Sequence, residues 1–491
     1  MDAWSRACNT PKPDAVRCTK SSDSLLFVIV VIAFVSTCLA AGCSGGDDDS
    51  ADTDTNTSTD TGNGVDAGPP PPKWTFEMIE EEDVGLEIKL AVAPDDSLGV
   101  AYFASSAYDD GICDEILVSP PTRMRQDIRY ASRPAAGGAW SVEVVESPVV
   151  LGGPTGLDLA FDPQGNPGIA FTGGVPEGQY CGGNDAVFAR RQGSVWSFET
   201  AGAQGGDSQT GDAASDSGFV VGLWPALAFN QQGEPAIVHK DVHFGTLQHD
   251  DKYRADAEFA QRSGGSWIHE AVDPGEAAGD HSALIFDTEN RAVAFYAITV
   301  EAQGGSRHGV WAARRETDGT WTRVKLHNGA IYKETSAAVD PVTGEIVVAF
   351  YSMKDSAAKI RRLTDSERFG ELDAWEMEII GDPRYDEGQY VSLAFTPSGR
   401  AALSYHRCKR VTSTSESCDQ NDEAVVFALE KTGGGWSIET VKESKKGSCG
   451  EYTALGFDSA GTAYIAYRCT EEIEDTFTFR IFVASKELGA I

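Results

Sequence analysis

Positive charge is in short supply in this sequence. Its 491 residues carry 40 Lys and Arg against 75 Asp and Glu, a formal net charge of −35. An acidic surplus of that size repels phosphate backbones and anionic lipid surfaces, so nucleic acid is not expected as a partner. Other absences narrow the chemistry. No G-x-S-x-G elbow occurs between Trp74 and Ile491, which removes one signature of a serine nucleophile. None of the 10 cysteines stands in a C-x-x-C spacing, which argues against a thiolate zinc site. No cofactor is expected. What is present is a globular composition, 41% hydrophobic and 23% charged, with 52 glycines that suit many tight turns.

Residues 1–42 read as an address. Arg17 and Lys20 precede an apolar run, Leu25 to Ala41, and small residues then lead to Cys43 in "LAAGC". A basic flank, an apolar stretch and a small-residue break describe a secretory signal. The segment resembles the lipobox of bacterial lipoproteins, with Ala40 in place of the commoner Leu. That resemblance implies cleavage before Cys43, acylation of Cys43 (palmitate among the chains) and, from Ser44, an outer-membrane location in the cell envelope. A plain transmembrane anchor is the alternative, since the run is close to the lower length for spanning. Residues 43–73 then form an acidic, Thr-rich tether ending in Pro69 to Pro72, with too few apolar residues to bury a core. Within it "DTDTNTSTD", Asp52 to Asp60, alternates oxygen-bearing side chains as calcium loops do. It lacks their turn glycine and closing Glu, so a solvated linker is preferred. The membrane is thus an expected partner, through the lipid.

From Trp74 to Ile491 one unit recurs. Its first half is "KLAVAPDDSLGVAY" from Lys89, "DLAFDPQGNPGIAF" from Asp158, "ALAFNQQGEPAIVH" from Ala226 and "ALIFDTENRAVAFY" from Ala283. "SAAVDPVTGEIVVAF" from Ser336, "SLAFTPSGRAALSY" from Ser392 and "ALGFDSAGTAYIAY" from Ala454 complete the set. Each is a strand, a polar turn and a returning strand that ends on an aromatic, His239 excepted. A Trp-headed strand also recurs: "WTFE" at Trp74, "WSVE" at Trp140, "WSFE" at Trp196, "WIHE" at Trp267, "WTRV" at Trp321, "WEME" at Trp375 and "WSIE" at Trp436. A further strand precedes it, so the unit is A, B, loop, C, turn, D. Four antiparallel strands repeated seven times predict an all-β fold, a seven-bladed β-propeller. The body opens on an orphan D strand, Trp74 to Ile79, and closes on a C strand, Arg480 to Ser485. The first is expected to complete the last blade and cover its edge.

The repeats resemble sialidase-like and BNR-type propellers over nearly all of residues 74–491. True Asp-boxes are missing, because the C–D turns read "RQGSVW" and "KTGGGW". "FRIF", Phe479 to Phe482, echoes a sialidase motif at the wrong end of the domain, so sialidase activity is not implied.

In such a body the A–B and C–D turns share one face, here called the turn face. The B–C and D–A connections share the other, the loop face. The long segments Ser105 to Gln126, Ala201 to Trp224, Lys240 to Arg254 and His406 to Glu423 fall on the loop face, where binding is expected. So do six cysteines, expected as disulfides outside the cytoplasm: Cys113 with Cys181, Cys408 with Cys418 and Cys449 with Cys469. Exchange between Cys408 and Cys469, which hold equivalent positions, is the alternative pairing. Two positions before each A strand the chain reaches the channel mouth, at Glu87, Gly156, Trp224, His281, Glu334, Tyr390 and Tyr452. After the B-strand aromatic come Lys240, Tyr351, His406 and Arg468. From these, Glu87, Trp224, His281, Glu334, Tyr390, His406, Tyr452 and Arg468 are the candidate ligand-binding residues, suited to a sugar or a peptide. The competing view has the aromatics capping the blades and the charges solvated.

A metal at His239, Asp241, His243, His249 and Asp250 is weaker, because His239 fills a packing position. Acid–base chemistry by Asp280, His281 and Tyr452 lacks a nucleophile, and neither a catalytic nor a metal set is assigned. The expected function is a monomeric, membrane-anchored propeller binding a protein or glycan through its loop face. The alternative is a polysaccharide hydrolase or lyase at the funnel, which converging arginines with a carboxylate pair would favour.

Overall fold

The architecture starts in the A–B turns. In the computed structural model the first turn residue uses its side chain to hold backbone donors that the turn leaves over. Asp162 accepts the N–H groups of Gln164 and Asn166 at 2.9 and 2.8 Å. Asn230, Asp287 and Asp458 do the same for the residues two and four further on. Asp340 and Thr396 serve their turns in kind. Blade 1 has Ala93 there, and Asp95 instead holds the N–H and hydroxyl of Ser97. The recurring Asp is therefore a turn former of the Asx type.

The structure describes residues 73–81, 84–106, 123–147, 149–151, 156–173, 185–203, 220–242, 255–274, 277–299, 307–329, 331–382, 384–410, 418–444, 447–473 and 476–488. The signal segment, the tether up to Pro72, Cys43, Cys113 and Cys181 lie outside them, as does the side chain of Cys418. Within these residues seven antiparallel sheets carry strands A to D in order. Blade 1 is Val84–Val92, Leu98–Ser106, Arg123–Arg133 and Ser141–Glu146, with Val149–Leu151 added beside its C strand. Blade 2 is Leu157–Phe161, Pro167–Gly173, Asp185–Gln192 and Val195–Gly202. Blade 3 is Val220–Phe229, Pro235–Val242, Ala255–Ser263 and Ser266–Asp273. Blade 4 is Asp280–Phe286, Ala292–Ile298, Gly309–Arg315 and Trp321–Asn328. Blade 5 is Ile331–Val339, Ile346–Ser352, Ala357–Leu363 and Trp375–Ile380. Blade 6 is Tyr385–Phe395, Ala401–Arg410, Cys418–Glu430 and Trp436–Glu443. Blade 7 is Gly447–Phe457, Thr462–Ile473 and Thr476–Glu487, and Thr75–Glu81 supplies its D strand, as the arithmetic of the repeats requires.

Strands overrun their expected ends on the loop face. In blades 6 and 7 the B and C strands continue to Arg410, from Cys418 and to Ile473, so segments read as loop are largely hairpin. Backbone pairing continues wherever partners remain, and in blade 6 the mostly polar residues there hide it from a hydrophobic pattern. The C–D connection of blade 5 is likewise more than a turn, holding two 3-10 turns, Ser366–Arg368 and Leu372–Ala374.

The core lies between blades. The B-strand terminal aromatics Tyr102, Phe171, Tyr296, Phe350, Tyr405 and Tyr467 are at most 1% exposed, and His239 in the same place is 0% exposed. Farther out, the W-x-x-E repeat joins neighbours. Trp140 donates its indole N–H to Glu77 (3.0 Å), Trp196 to Glu143 (3.3 Å) and Trp267 to Glu199 (3.2 Å). Trp321 donates to Glu270 (3.2 Å), Trp436 to Glu378 (3.0 Å) and Trp74 to Glu439 (3.1 Å). Each tryptophan thus binds the glutamate of the preceding blade. Arg133, Arg191, Arg262, Arg315 and Lys486 pair with the same carboxylates. The circle is interrupted once, where "WTRV" has Val324 instead of Glu. There Trp375, 1% exposed, donates to the carbonyl of Phe369 within the 3-10 insertion.

Candidate functional site

The loop-face mouth is built by a distortion of the inner strands. Six A–B pairs shift register beside the mouth residue, at Leu86/Lys89, Leu223/Ala226, Asp280/Ala283, Ile331/Thr335, Gln389/Ser392 and Glu451/Ala454. Six of the seven mouth residues therefore lie inside their strands, because each bulge re-aims one residue and pairing resumes beyond it, while Gly156 stands just ahead of its strand. Glu87, Trp224, His281, Tyr390 and Tyr452 hold left-handed backbones with φ from 46 to 55°, and Gly156 has φ 101°. Such backbones are uncommon for bulky residues, and their recurrence at one level marks a position constrained by its surroundings.

The predicted residues assemble in part. The Trp224 and His281 rings lie 5.1 Å apart, and those of Tyr390 and Tyr452 4.6 Å apart. Blade contacts fix them from below: the Thr335 hydroxyl donates to the His281 carbonyl (2.6 Å), and that of Thr453 to the Tyr390 carbonyl (2.7 Å). Three blades share one motif, in which the residue after the B-strand aromatic lies by the mouth aromatic and takes a carboxylate. Lys240 sits 5.6 Å from the Trp224 ring and 2.6 Å from Asp280. His406 meets Tyr390 edge-on at 6.2 Å and Glu423 at 3.2 Å. Arg468 lies 5.3 Å from Tyr452 and 5.1 Å from Phe479, and pairs with Glu451. It is 7% exposed, wedged between blade 7 and Gly85 of blade 1.

Two residues that sequence reasoning missed lie one pleat deeper. Lys89 of blade 1 reaches Glu334 of blade 5 at 3.2 Å, joining blades that are not neighbours. Burial disfavours its ammonium, yet Glu334, Asp158 and Glu87 outweigh that and hold its pKa above the usual lysine value. Asp158 of blade 2 is shifted upward by burial, tempered by Lys89 and by the N–H groups of Leu227 and Leu159. The available signal was positional: other blades carry Ala or Ser two residues past the mouth residue.

Asp280 is buried and binds Lys240 and Thr299, which together outweigh burial and hold its carboxyl below the ordinary range. His239 belongs to the core. It accepts the Gly222 N–H on Nδ1 at 3.3 Å, and burial pushes its pKa down. Among the described residues no three His, Cys, Asp or Glu are placed to hold a metal ion. His243, His249 and Asp250 lie outside them. Cys449 and Cys469 stand directly opposite on strands A and B of blade 7 and form a disulfide, and Cys408 is disulfide-bonded. At the turn face an open cavity of about 440 Å³ is lined by Val92, Pro94, Phe161, Phe229 and Phe457, among others.

No family model matches the chain, and no curated protein matches it. Several solved structures are similar at the level of overall shape. A Dyadobacter fermentans protein of unknown function shares 12% identity, with 84% of this chain and 99% of that one covered and a TM-score of 0.43. A PL25 ulvan lyase bound to -[GlcA(1-4)Rha3S]- shares 11%, with 82% and 94% covered and a TM-score of 0.46. The NanB sialidase of Streptococcus pneumoniae shares 10%, with 83% and 70% covered and a TM-score of 0.40. None of their chemistry is carried over to this chain.

Proposed function

We propose that this protein is an envelope lipoprotein, anchored through Cys43, whose propeller binds a protein or glycan at its loop face. The observation that carries the binding reading is the mouth itself: six of its positions hold left-handed backbones that bring aromatic, imidazole and carboxylate groups together. Its cations support binding over turnover of an acidic polysaccharide. Lys89, Lys240 and Arg468 each already carry a carboxylate, and Arg468 is the arginine among the mouth residues. Chain geometry supports the same reading. Thr75 pairs with Ser485, and Ser485 with Tyr464, close to the A–B turn of blade 7. The first described strand of the body therefore begins at the turn face, away from the loop face proposed to bind.

Labelled palmitate is expected in the wild type and not in Cys43→Ser, and equal labelling of both removes the lipid anchor. A screen against neutral glycans and envelope proteins is expected to give a ligand whose affinity falls about tenfold in Trp224→Ala, the scale of one lost stacking contact. Unchanged affinity in Trp224→Ala and His281→Ala places the site elsewhere. Turnover of a polysaccharide that Glu334→Ala abolishes replaces the binding reading with the enzymatic one.

A further inference from the structure

The cavity at the turn face has walls suited to an apolar guest. Phe161, Phe229 and Phe457 end the A strands of blades 2, 3 and 7, and their partly exposed rings line it with Val92, Pro94 and Pro163. The polar side chains of its wall are already engaged. Asp96 accepts the N–H and the hydroxyl of Ser459 at 2.8 and 2.5 Å, and Asp162 holds Asn166 and Arg190. An occupant therefore gains chiefly by taking apolar surface out of water.

The chain enters the body at this same face. Trp74 is fixed by its bond to Glu439 and by its edge-on contact with Phe427. Thr75 then opposes Ser485, Ser485 opposes Tyr464, and Tyr464 opposes Gly456, the residue before Phe457. That row runs from the outer strand to the cavity wall across three interstrand spacings, about 14 Å. Pro69 stands six residues before Thr75, a span of about 19 Å at the rise of a polyproline helix. Composition singles out the same run. Between Ser44 and Pro72 the apolar residues are Ala51, Val65, Ala67 and Pro69 to Pro72. Prolines lose little freedom on docking, and grooves lined by aromatic rings are what they dock into.

We propose that Pro69 to Pro72 occupy the turn-face cavity and pack on Phe161, Phe229 and Phe457. Joined through so short a link, the run meets the cavity at an effective concentration of about a millimolar or more, so a weak contact suffices. The seat uses only residues next to Trp74. It therefore stands or falls separately from acylation of Cys43 and from binding at the loop face.

The test uses the full chain with 4-fluorophenylalanine placed singly at Phe161, Phe229 or Phe457. A fourth label at Phe198, exposed on the outer strand of blade 2, is the control. Replacing Pro69, Pro70, Pro71 and Pro72 together by Ser is expected to move the ¹⁹F resonances of the cavity labels and leave Phe198 unchanged. These replacements touch no strand of the body, so unfolding does not account for a shift. A peptide with the sequence of residues 66–73 is expected to restore the wild-type positions in the serine variant at about millimolar concentration. The wild type, its cavity already filled, should need about tenfold more peptide to respond. Cavity labels that ignore the serine replacement overturn the proposal, and so does equal movement at Phe198. A wild-type position reached only as protein concentration rises overturns it too, and assigns the cavity to the prolines of a second copy.

Discussion

Gly156 shows how far one residue can be constrained. It stands at the mouth of blade 2 with φ 101°, and a Cβ there would lie 2.9 Å from Trp224 Cα. Neither the backbone nor a flexible side-chain end can yield cheaply, so Gly156→Ala is expected to cost about 2 kcal/mol or more, read as a lower urea midpoint at unchanged slope. His327 offers a test by pH. Burial first, and then the nearby Lys359 ammonium, lower its pKa to about 4. The unfolded value is about 6.5, so on acidification the unfolded chain takes the proton first. Stability is full above about pH 6.5 and falls as pH drops toward about 4. The wild type should therefore lose more of its urea midpoint between neutral and mildly acidic pH than His327→Gln. Legibility also divides at this scale. Glycine at position 156 announces a left-handed backbone, but Trp224, Tyr390 and Tyr452 adopt one that their residue types do not advertise. The sequence could count them to the mouth and could not show their conformation.

At the scale of the strand, W-x-x-E was readable as a repeat long before its purpose. The tryptophan and glutamate of one motif do not meet; each serves a different neighbour, so only the assembled circle explains the spacing. The exception is the better test. Glu270 accepts from Trp321 and from Arg315 in a partly exposed setting, so Glu270→Ala is expected to cost about 1 kcal/mol. Val324→Glu restores the motif on paper yet should destabilise more, by about 2–4 kcal/mol. Val324 is 6% exposed, and the Trp375 N–H is already bound to Phe369. Melting curves of the two variants that rank in the reverse order would show that the interruption is not compensated by the 3-10 insertion. Periodicity found the strands because each A–B pair buries one face against a neighbouring blade. It missed the long hairpin of blade 6 because the residues added there, such as Arg407, Lys409, Asp422 and Glu423, are mostly polar.

For the whole molecule, the seven copies made the propeller legible and the order of elements foretold its closure. What could not be read was any interaction across the channel, since nothing local to Lys89 or Glu334 specifies the other. Lys89→Met would leave Glu334 and the buried Asp158 without their cation and is expected to lower stability by about 3 kcal/mol near neutral pH. The deficit should shrink in acid, where Asp158, shifted upward by burial, takes up a proton, and calorimetry at two pH values reads both effects.

The strand Thr75–Glu81 closes the circle, and it is also the first strand after the segment read as the tether. Its two ends lie on opposite faces, with Thr75 beside the turns and Glu81 opposite Arg480 toward the loops. An anchor pulling at Thr75 while a partner grips the loop face draws the strand along its own length. The backbone bonds to Thr476–Glu487 are then loaded together in shear instead of being peeled one after another. On the anchoring and loop-face binding proposed above, the clasp of the propeller would be oriented to resist a pull along that strand.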